Sequence, residues 1–367
     1  MKNKFFHSAS MCLHCDTNIA LCTKSSAEMR NFIMMEYDVF KAVVKENFLR
    51  CLPEKYRDAE IRIHQAKKVN RTLDGLTVLP EGNVQVFPTI YINDMYEHYR
   101  ACGDLETVLQ GAAQKYAQAA EMAKARHREE DMDAKMEHFR ENVVMCLINT
   151  EQNRELLVDV PNRQFHDLSV VYRWVVEETP DAVGSIIVSD KVAEMAGMTE
   201  EELFRCASKN TREKNPVRIT SMQEIMFNVL SIPPEMRDMF GQEPTPADNM
   251  WIIGNERGIN GAASMLYEEN LHQLAEKLGD DLFILPSSIH EVIAVPAEMA
   301  EKNLTNLLKM VEEVNMGSLK LEERLSNSVY HYDRNARKVT LAAESPEKRL
   351  DGKTAELPLI SENEKKR

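Results

Sequence analysis

The sequence predicts an α+β protein with a small amino-terminal strand-helix unit, a helical connector and a larger mixed sheet flanked by helices. Short alternating apolar runs, typical of strands, occur along the same chain as longer runs at helical spacing. The 367 residues also exceed the usual size of one domain. A central stretch made almost entirely of strong helix formers separates two regions with strand signals.

The amino-terminal unit is predicted over residues 35–104. Apolar residues between Glu36 and Leu49 recur at helical spacing, and Pro53 ends that pattern. Asp94 is placed to cap a second helix through its carboxylate. Between the two helices the alternating runs predict a small antiparallel meander of three strands: Ile61–Ile63, Leu76–Val78 and Val84–Val86.

The helical connector is predicted over residues 105–142 and the larger domain over residues 143–343. Residues 1–34 precede the first strongly periodic segment and are predicted to be a disordered extension. Because Met34 and Met35 stand directly before that segment, an upstream translation start is the alternative. Residues 344–367 carry mixed charge without periodicity and are predicted to be a disordered tail.

Strand and helix signals alternate through the larger domain. Thr199 and Glu202 form a capping box that opens one helix, and Ser221 with Glu224 repeats that signature. The run Val143–Ile148 is apolar throughout, so periodicity alone leaves both a buried strand and a buried helical turn open. Further predicted elements are the helices Ala262–Leu278 and Leu304–Val314, the strands Leu168–Val176, Gly184–Val188, Met250–Ile253, Phe283–Leu285 and Ile289–Val295, and a hairpin of Val329–Tyr332 with Lys338–Leu341.

Charge and hydropathy disfavour several classes of function. The formal net charge of −14 disfavours direct binding to nucleic acid, because affinity for phosphate comes largely from Lys and Arg. A mean hydropathy of −0.41, with no apolar run of about 20 residues, predicts no membrane association. Seven cysteines, an odd number, suit a reducing compartment better than a disulfide framework, so we expect a cytoplasmic protein.

The cysteines near the amino terminus are the weak candidates for a metal site. Cys12, His14, Cys15 and Cys22 are residue types that bind zinc. A structural zinc site usually needs two well-spaced ligand pairs, and the second pair is missing here. We therefore expect no metal and no cofactor.

The segment ILPSSIHEVIAVP, residues 284–296, is the most suggestive piece of chemistry in the chain. A zinc-protease helix would need a second histidine four residues after His290, where position 294 is alanine. A serine hydrolase would want Ser288 on a glycine-flanked turn, and no glycine flanks it. If the segment is a strand, Ser288 and His290 share one face about 7 Å apart. Ser288, His290 and Glu291 remain weak catalytic candidates, against the simpler interpretation of a turn followed by a strand.

The loop Gly254–Gly261 lies between a predicted strand and a predicted helix, where an anion-binding loop would lie. Its glycine spacing matches neither the dinucleotide-binding nor the P-loop pattern, so a simple turn is favoured. If a small ligand binds, this loop beside Ser287–Glu291 is the expected place. The remaining polar candidates are His166 with Asp167, and Asn210, and a lone histidine before a strand is expected to be a satisfied surface residue. Helix-end or turn positions are predicted for Asn149, Asn153 and Asn315.

Several motifs resemble a family of intestinal Firmicutes known as domain of unknown function 5688. They are Asn149–Asn153, Phe165–Leu168, Ala207–Thr211, Gly261–Tyr267, Leu285–Val292 and Val311–Asn315 with Leu325–Ser326. The similarity runs over roughly residues 35–337, and Leu285–Val292 is its most specific piece. The resemblance implies a cytoplasmic bacterial α+β protein, and it assigns no activity and no catalytic residues.

The sequence favours a non-enzymatic interaction protein whose partner is another protein, because no complete catalytic constellation is recognisable. One alternative is a hydrolase or small-molecule-binding enzyme that uses the Ser287–Glu291 segment. Another is an acidic mimic of nucleic acid that inhibits a DNA-binding protein, which predicts acidic side chains concentrated in a stripe.

Overall fold

The computed structural model describes residues 34–79, 87–127, 136–178, 183–237, 250–286, 288–300 and 304–352. The described chain divides into two units. The smaller unit holds residues 34–68, 72–79, 87–127 and 136–138. The larger unit holds residues 69–71 and the described residues from 139 onward. The predicted extension before residue 34 lies outside the described residues.

The smaller unit packs three helices with a three-stranded sheet in the order β1-β2-β3. Its elements are α1 (Tyr37–Cys51), β1 (Glu60–Lys68), β2 (Arg71–Leu79), β3 (Ile90–Tyr91), α2 (Ile92–Cys102) and α3 (Leu105–His127). The apolar stripe predicted for the first helix is buried at Phe40, Val44 and Phe48. The predicted strand Val84–Val86 lies outside the described residues. Asp94 lies in the first turn of α2 and not at its cap.

Helix α3 belongs to the core of the smaller unit, which corrects the prediction of a separate connector. Val108, Leu109, Ala113 and Tyr116 are buried against the side chains of α1 and α2. The Tyr116 hydroxyl also donates a hydrogen bond to the Val78 carbonyl at 2.9 Å. Helix-forming composition reveals that a helix forms but not which neighbour its apolar residues contact.

The larger unit contains two sheets. The first has the order β4-β6-β5, with β7 also paired to β6, and the second has the order β13-β12-β10-β11-β9-β8. The strands are β4 (Val143–Asn149), β5 (Asn162–Phe165), β6 (Leu168–Glu178), β7 (Val183–Ile187), β8 (Val217–Ser221), β9 (Trp251–Asn255), β10 (Leu282–Leu285), β11 (Val292–Pro296), β12 (Val329–Asp333) and β13 (Lys338–Ala343).

Helices flank these sheets. They are α4 (Phe139–Asn142), α5 (Arg154–Leu157), α6 (Asp190–Met195), α7 (Glu200–Lys214), α8 (Met222–Val229), α9 (Pro234–Arg237), α10 (Glu268–Leu278), α11 (Ala297–Ala300) and α12 (Leu304–Gly317). The predicted capping box is present, because the Thr199 hydroxyl accepts from the Glu202 amide while Glu202 accepts from the Thr199 amide. The predicted helix Ala262–Leu278 is divided into a 3-10 helix, Gly261–Leu266, and α10.

The α+β class is confirmed, but the predicted mixed sheet is wrong in detail. Every described strand pair in the larger unit is antiparallel. Only a few residues separate β10 from β11 and β12 from β13, and so short a connection can only reverse the chain direction. The helical connections from β9 to β10 and from β11 to β12 do cross over, but each skips one intervening strand, so the strands that hydrogen-bond to each other are antiparallel.

The run Val143–Ile148, for which periodicity left a buried strand and a buried helical turn open, is part of strand β4. All seven of its residues are buried because β6 pairs with one edge and α7 covers the other. The Met145 amide donates to the Thr211 hydroxyl at 2.9 Å, and the Asn210 side-chain amide donates to the Val143 carbonyl at 2.8 Å. Side chains of α7 thus make the hydrogen bonds to the β4 backbone that a neighbouring strand would otherwise make.

Ordered structure continues to residue 352, within the tail predicted for residues 344–367, and the rest of that predicted tail lies outside the described residues. Ser345 and Leu350 are buried. The Arg324 guanidinium donates to the Leu350 carbonyl at 2.7 Å, and the Ser345 hydroxyl donates to the Glu312 carboxylate at 2.6 Å. Specific tertiary contacts therefore fix residues whose composition alone suggested disorder.

Candidate functional site

The segment that carried the catalytic candidates is a turn between β10 and β11. The Ser288 hydroxyl oxygen accepts from the backbone amides of His290, at 3.0 Å, and Glu291, at 3.3 Å. The Ser288 amide donates to the Glu291 carbonyl at 3.2 Å. The strand predicted from Ile289 therefore starts only at Val292. A serine hydroxyl that accepts from the amides two and three residues ahead holds the backbone in a turn, and those amides are then not available for pairing with a neighbouring strand. Ser287 lies outside the described residues.

The side chains of Ser288 and His290 are hydrogen-bonded to backbone amides and not to each other. Ser288 is 6 % exposed and its oxygen is occupied by two amides. The His290 Nδ1 atom accepts from the Asn260 amide at 3.2 Å, so a neutral imidazole carries its proton on Nε2. A general base must lie within hydrogen-bonding reach of the hydroxyl. The described residues contain no hydrogen bond between these two side chains.

Burial shifts the protonation of both titratable residues in this turn. Burial lowers the pKa of His290, partly opposed by the nearby Glu323 carboxylate. Burial raises the pKa of Glu291. Both shifts favour the neutral form of the side chain. His290 Nε2 is buried and has no partner among the described atoms.

The loop Gly254–Gly261 packs directly on this turn. A Cβ atom at Gly261 would lie 2.4 Å from the His290 carbonyl oxygen and 2.8 Å from the Asn255 amide nitrogen. The Ala262 amide donates to the Ile289 carbonyl at 3.2 Å. The amides of Arg257 and Ile259 donate to the Asn255 side chain. Because these amides are used within the protein, the loop does not present them to an anion.

Two surface grooves of the described chain lie elsewhere. One follows the outer face of α7 and is lined by Phe204, Ser208 and Arg212 among others. The other is in the smaller unit and is lined by Tyr99, Leu105 and other residues. A substrate-binding enzyme usually encloses its ligand in a cleft beside the reactive groups. The turn Ser288–Glu291 lines neither groove.

The weak metal candidates Cys12, His14, Cys15 and Cys22 lie outside the described residues. Within the described ranges, no group of three or more His, Cys, Asp or Glu residues is arranged to hold a metal ion. No described helix is both long and apolar enough to cross a membrane.

A cluster around Asp167 joins two of the sequence motifs. The Asp167 carboxylate accepts from the hydroxyls of Ser326, at 2.5 Å, and Ser328, at 3.1 Å. The Tyr330 hydroxyl donates to its other oxygen. Burial, followed by the Asp167 charge, raises the pKa of Tyr330 well above its ordinary value. Ser328 and Tyr330 were not singled out by the sequence, although their spacing of two after Ser326 is the signal of one strand face.

His166 precedes this carboxylate in a left-handed backbone conformation, with φ of 56°. Its Nε2 atom lies 3.2 Å from the Val339 carbonyl oxygen. Such a conformation is uncommon outside glycine, and here it allows the tight turn between β5 and β6. The cluster is packed and internally satisfied, so we interpret it as structural.

The asparagines of the motifs hold one loop of the larger unit in place. Asn149 donates to the Leu325 carbonyl at 3.2 Å, and Asn153 donates to the Asn149 carbonyl at 2.7 Å. Asn70 donates to the Leu321 carbonyl at 2.8 Å. Asn315 donates to the Ser326 carbonyl at 2.8 Å. Buried amides of this kind satisfy backbone groups that have no strand or helix partner.

Three exposed apolar side chains lie close together on α8 and its carboxy-terminal cap. The Ser221 hydroxyl caps this helix by accepting from the Glu224 amide at 3.1 Å. Met226, Val229 and Leu230 are 52 %, 64 % and 63 % exposed. These three residues, at positions i, i+3 and i+4, are named the α8 stripe. Phe227 points the other way and is buried, with the Arg237 guanidinium 5.1 Å from its ring centre.

The described fold and surfaces define a class: a two-unit α+β protein in which the Ser288 hydroxyl and His290 Nδ1 accept backbone hydrogen bonds and an apolar helix stripe is exposed. The chain belongs to a family of unknown function, DUF5688, whose model matches residues 37–334. Comparison with curated proteins gave no match, and comparison with solved structures gave none either.

Proposed function

We propose that this is a cytoplasmic interaction protein that binds a protein partner through the α8 stripe. The observation that carries the proposal is the exposure of Met226, Val229 and Leu230 within five consecutive residues. Single exposed apolar residues are ordinary, but contiguous apolar patches on a soluble protein commonly mark binding surfaces.

The spacing of the stripe indicates how a partner would bind it. Residues at i, i+3 and i+4 lie on one side of a helix, so all three side chains can enter one apolar groove. The unbranched methionine adapts to irregular surfaces. Met236, on α9, is also exposed and adds apolar surface close by in sequence.

The hydrolase alternative has less support. Ser288 is committed to its turn, and His290 is bonded through Nδ1 to the Asn260 amide. The acidic-mimic alternative also gains no support, because arginines interrupt the acidic surface. Arg163 pairs with Glu200 and Glu201, and Arg337 pairs with Glu268.

The proposal is tested by affinity purification from the native host with quantitative mass spectrometry. The bait is the full chain, compared with the double variant Val229→Asp with Leu230→Asp. Two carboxylates on the stripe would have to be desolvated in the complex, so we expect a specific partner to be lost. The matched control is Val158→Asp, because Val158 is 76 % exposed and lies outside the stripe.

A partner recovered with the wild type and the control but not with the double variant supports the proposal. An identical set of proteins recovered with all three baits contradicts it. Circular dichroism of each bait establishes that the variants are folded.

A further inference from the structure

Strand β8 forms one edge of the six-stranded sheet. Strand β9 pairs with one side of β8, and no strand in the described part of the chain pairs with the other side. An open edge presents unpaired backbone amides and carbonyls, which are a template for another strand.

The register determines which backbone groups face outward. The Glu256 amide donates to the Pro216 carbonyl at 3.1 Å, and the Met222 amide donates to the Met250 carbonyl at 2.8 Å. In an antiparallel ladder the bonded positions alternate. Arg218 and Thr220 therefore bond to β9, in the register that pairs them with Gly254 and Ile252. The amides and carbonyls of Val217 and Ile219 face away from the sheet.

The usual protections of an edge strand are weak here. Proteins often place a charged side chain at an outward position of an edge to prevent pairing. The three outward positions hold Val217, Ile219 and Ser221, which are uncharged. Arg218 is the only charged residue of the strand, and its Nε atom donates along the strand to the Thr220 hydroxyl at 3.2 Å.

We propose that the β8 edge pairs antiparallel with the β8 edge of a second copy of this chain. A two-fold axis midway between the two Ile219 residues places Ile219 opposite the same residue of the other copy, and Val217 opposite Ser221. All of these are outward positions, so each facing pair can exchange two backbone hydrogen bonds. The contact is isologous, the commonest arrangement in soluble oligomers.

The side chains are compatible with this register. The two Ile219 side chains meet on one face of the joined sheet, and aliphatic cross-strand pairs are stabilising. On the other face Arg218 stands opposite Thr220, so two guanidinium groups are not forced together. The sequence of the strand is therefore self-complementary in the one register that two-fold symmetry centred on Ile219 allows. This inference goes beyond the proposed function, because it concerns the strand edge and not the α8 stripe.

A register-specific disulfide tests the proposal in the full chain. In a bonded antiparallel pair the facing Cα atoms are about 5.5 Å apart, within the range of a disulfide. Ile219→Cys is therefore expected to cross-link two copies under mild oxidation with copper phenanthroline. Thr220→Cys is the matched control, because the two Thr220 Cα atoms would be roughly 8 Å apart in this register, beyond disulfide reach.

The expected product is a peptide linked between the two copies at position 219, identified by mass spectrometry. Light scattering of the wild type is expected to give twice the chain mass of 42.1 kDa. Ile219→Pro removes an outward amide, a substitution tolerated on open edges, and should give a folded monomer.

Three results would overturn the inference. They are a monomeric wild type at micromolar concentration, a dimer without the 219–219 link, or equal cross-linking at positions 219 and 220. Each of these leaves the α8 stripe open to its own test, because that test depends on Val229 and Leu230 and not on β8.

Discussion

Tyr330 donates a hydrogen bond to the Asp167 carboxylate although the two residues are 163 positions apart in sequence. Tyr330 is fully buried, and the same carboxylate accepts from Ser326 and Ser328. Hydrogen bonds to a charged acceptor are stronger than neutral ones, so this contact fastens the β5–β6 turn to β12.

Tyr330→Phe is expected to destabilise the protein by about 1.5–3 kcal/mol, the typical value for a hydrogen bond to a charged group. Urea unfolding measures this change in the free energy of unfolding. The control is Tyr332→Phe, whose partner Glu268 is 37 % exposed and keeps its two bonds to Arg337. We expect a smaller loss for the control, and equal losses would contradict the assignment.

Gly261→Ala is expected to destabilise the protein by about 1–3 kcal/mol through overpacking. The new methyl group would lie 2.4 Å from one backbone atom and 2.8 Å from another, and neither can move independently of its strand or loop. Gly111→Ala is the control, because nothing lies within 4 Å of a Cβ at that helical position. The control should be stabilised by roughly 0.5–1 kcal/mol. Thermal unfolding of both variants decides the prediction.

Ser288→Ala is expected to cost roughly 1–3 kcal/mol, because the amides of His290 and Glu291 lose their acceptor. The exposed Ser318→Ala should change stability by less than about 0.5 kcal/mol. A nucleophilic Ser288 would give the opposite result: unchanged unfolding, together with the loss of turnover in a screen of ester and peptide substrates. Urea unfolding and that screen, run on the same samples, separate the two roles.

The variant His290→Asn is expected to lose less stability than the wild type when the pH is lowered. Burial places the folded pKa of His290 below its ordinary value of 6.5. As the pH is lowered, His290 in the unfolded chain therefore binds a proton before His290 in the folded protein does. The stability contributed by the neutral imidazole is present above pH 6.5 and is lost as the pH falls through the folded pKa. Asparagine can still accept from the Asn260 amide but does not titrate.

The measurement for His290 is the urea midpoint at about pH 8 and about pH 5.5. The raised pKa of Glu291 acts in the opposite direction, with stability lost as pH rises above 4.5, but it is present in both proteins. The exposed His98→Asn serves as the control. A variant at position 290 that keeps the full wild-type pH dependence would show that His290 is not its source.

Much of the local structure could be predicted from sequence. Helix α1 and strands β1 and β2 follow from apolar spacing, and the start of α7 follows from the Thr199 capping box. These signals depend on residues within a few positions of one another, so the chain displays them directly. The motifs also identified the family correctly.

Other features depended on contacts that no local pattern encodes. The sequence suggested a strand from Ile289, but the Ser288 hydroxyl bonds the next amides and the close approach of Gly261 fixes the turn. Composition identified α3 as a helix but could not say that Tyr116 would pack in the core of the smaller unit.

The sequence by itself determined the fold class and many of the helices and strands, because these depend on periodicity and on short-range caps, and its motifs carried the resemblance to the family. Only the tertiary structure decided that every described strand pair of the larger unit is antiparallel, that Asp167 meets Tyr330, and that β8 is left at an edge. The physical reason is that hydrogen bonding and burial between distant residues depend on which surfaces meet, and local spacing carries no information about that choice.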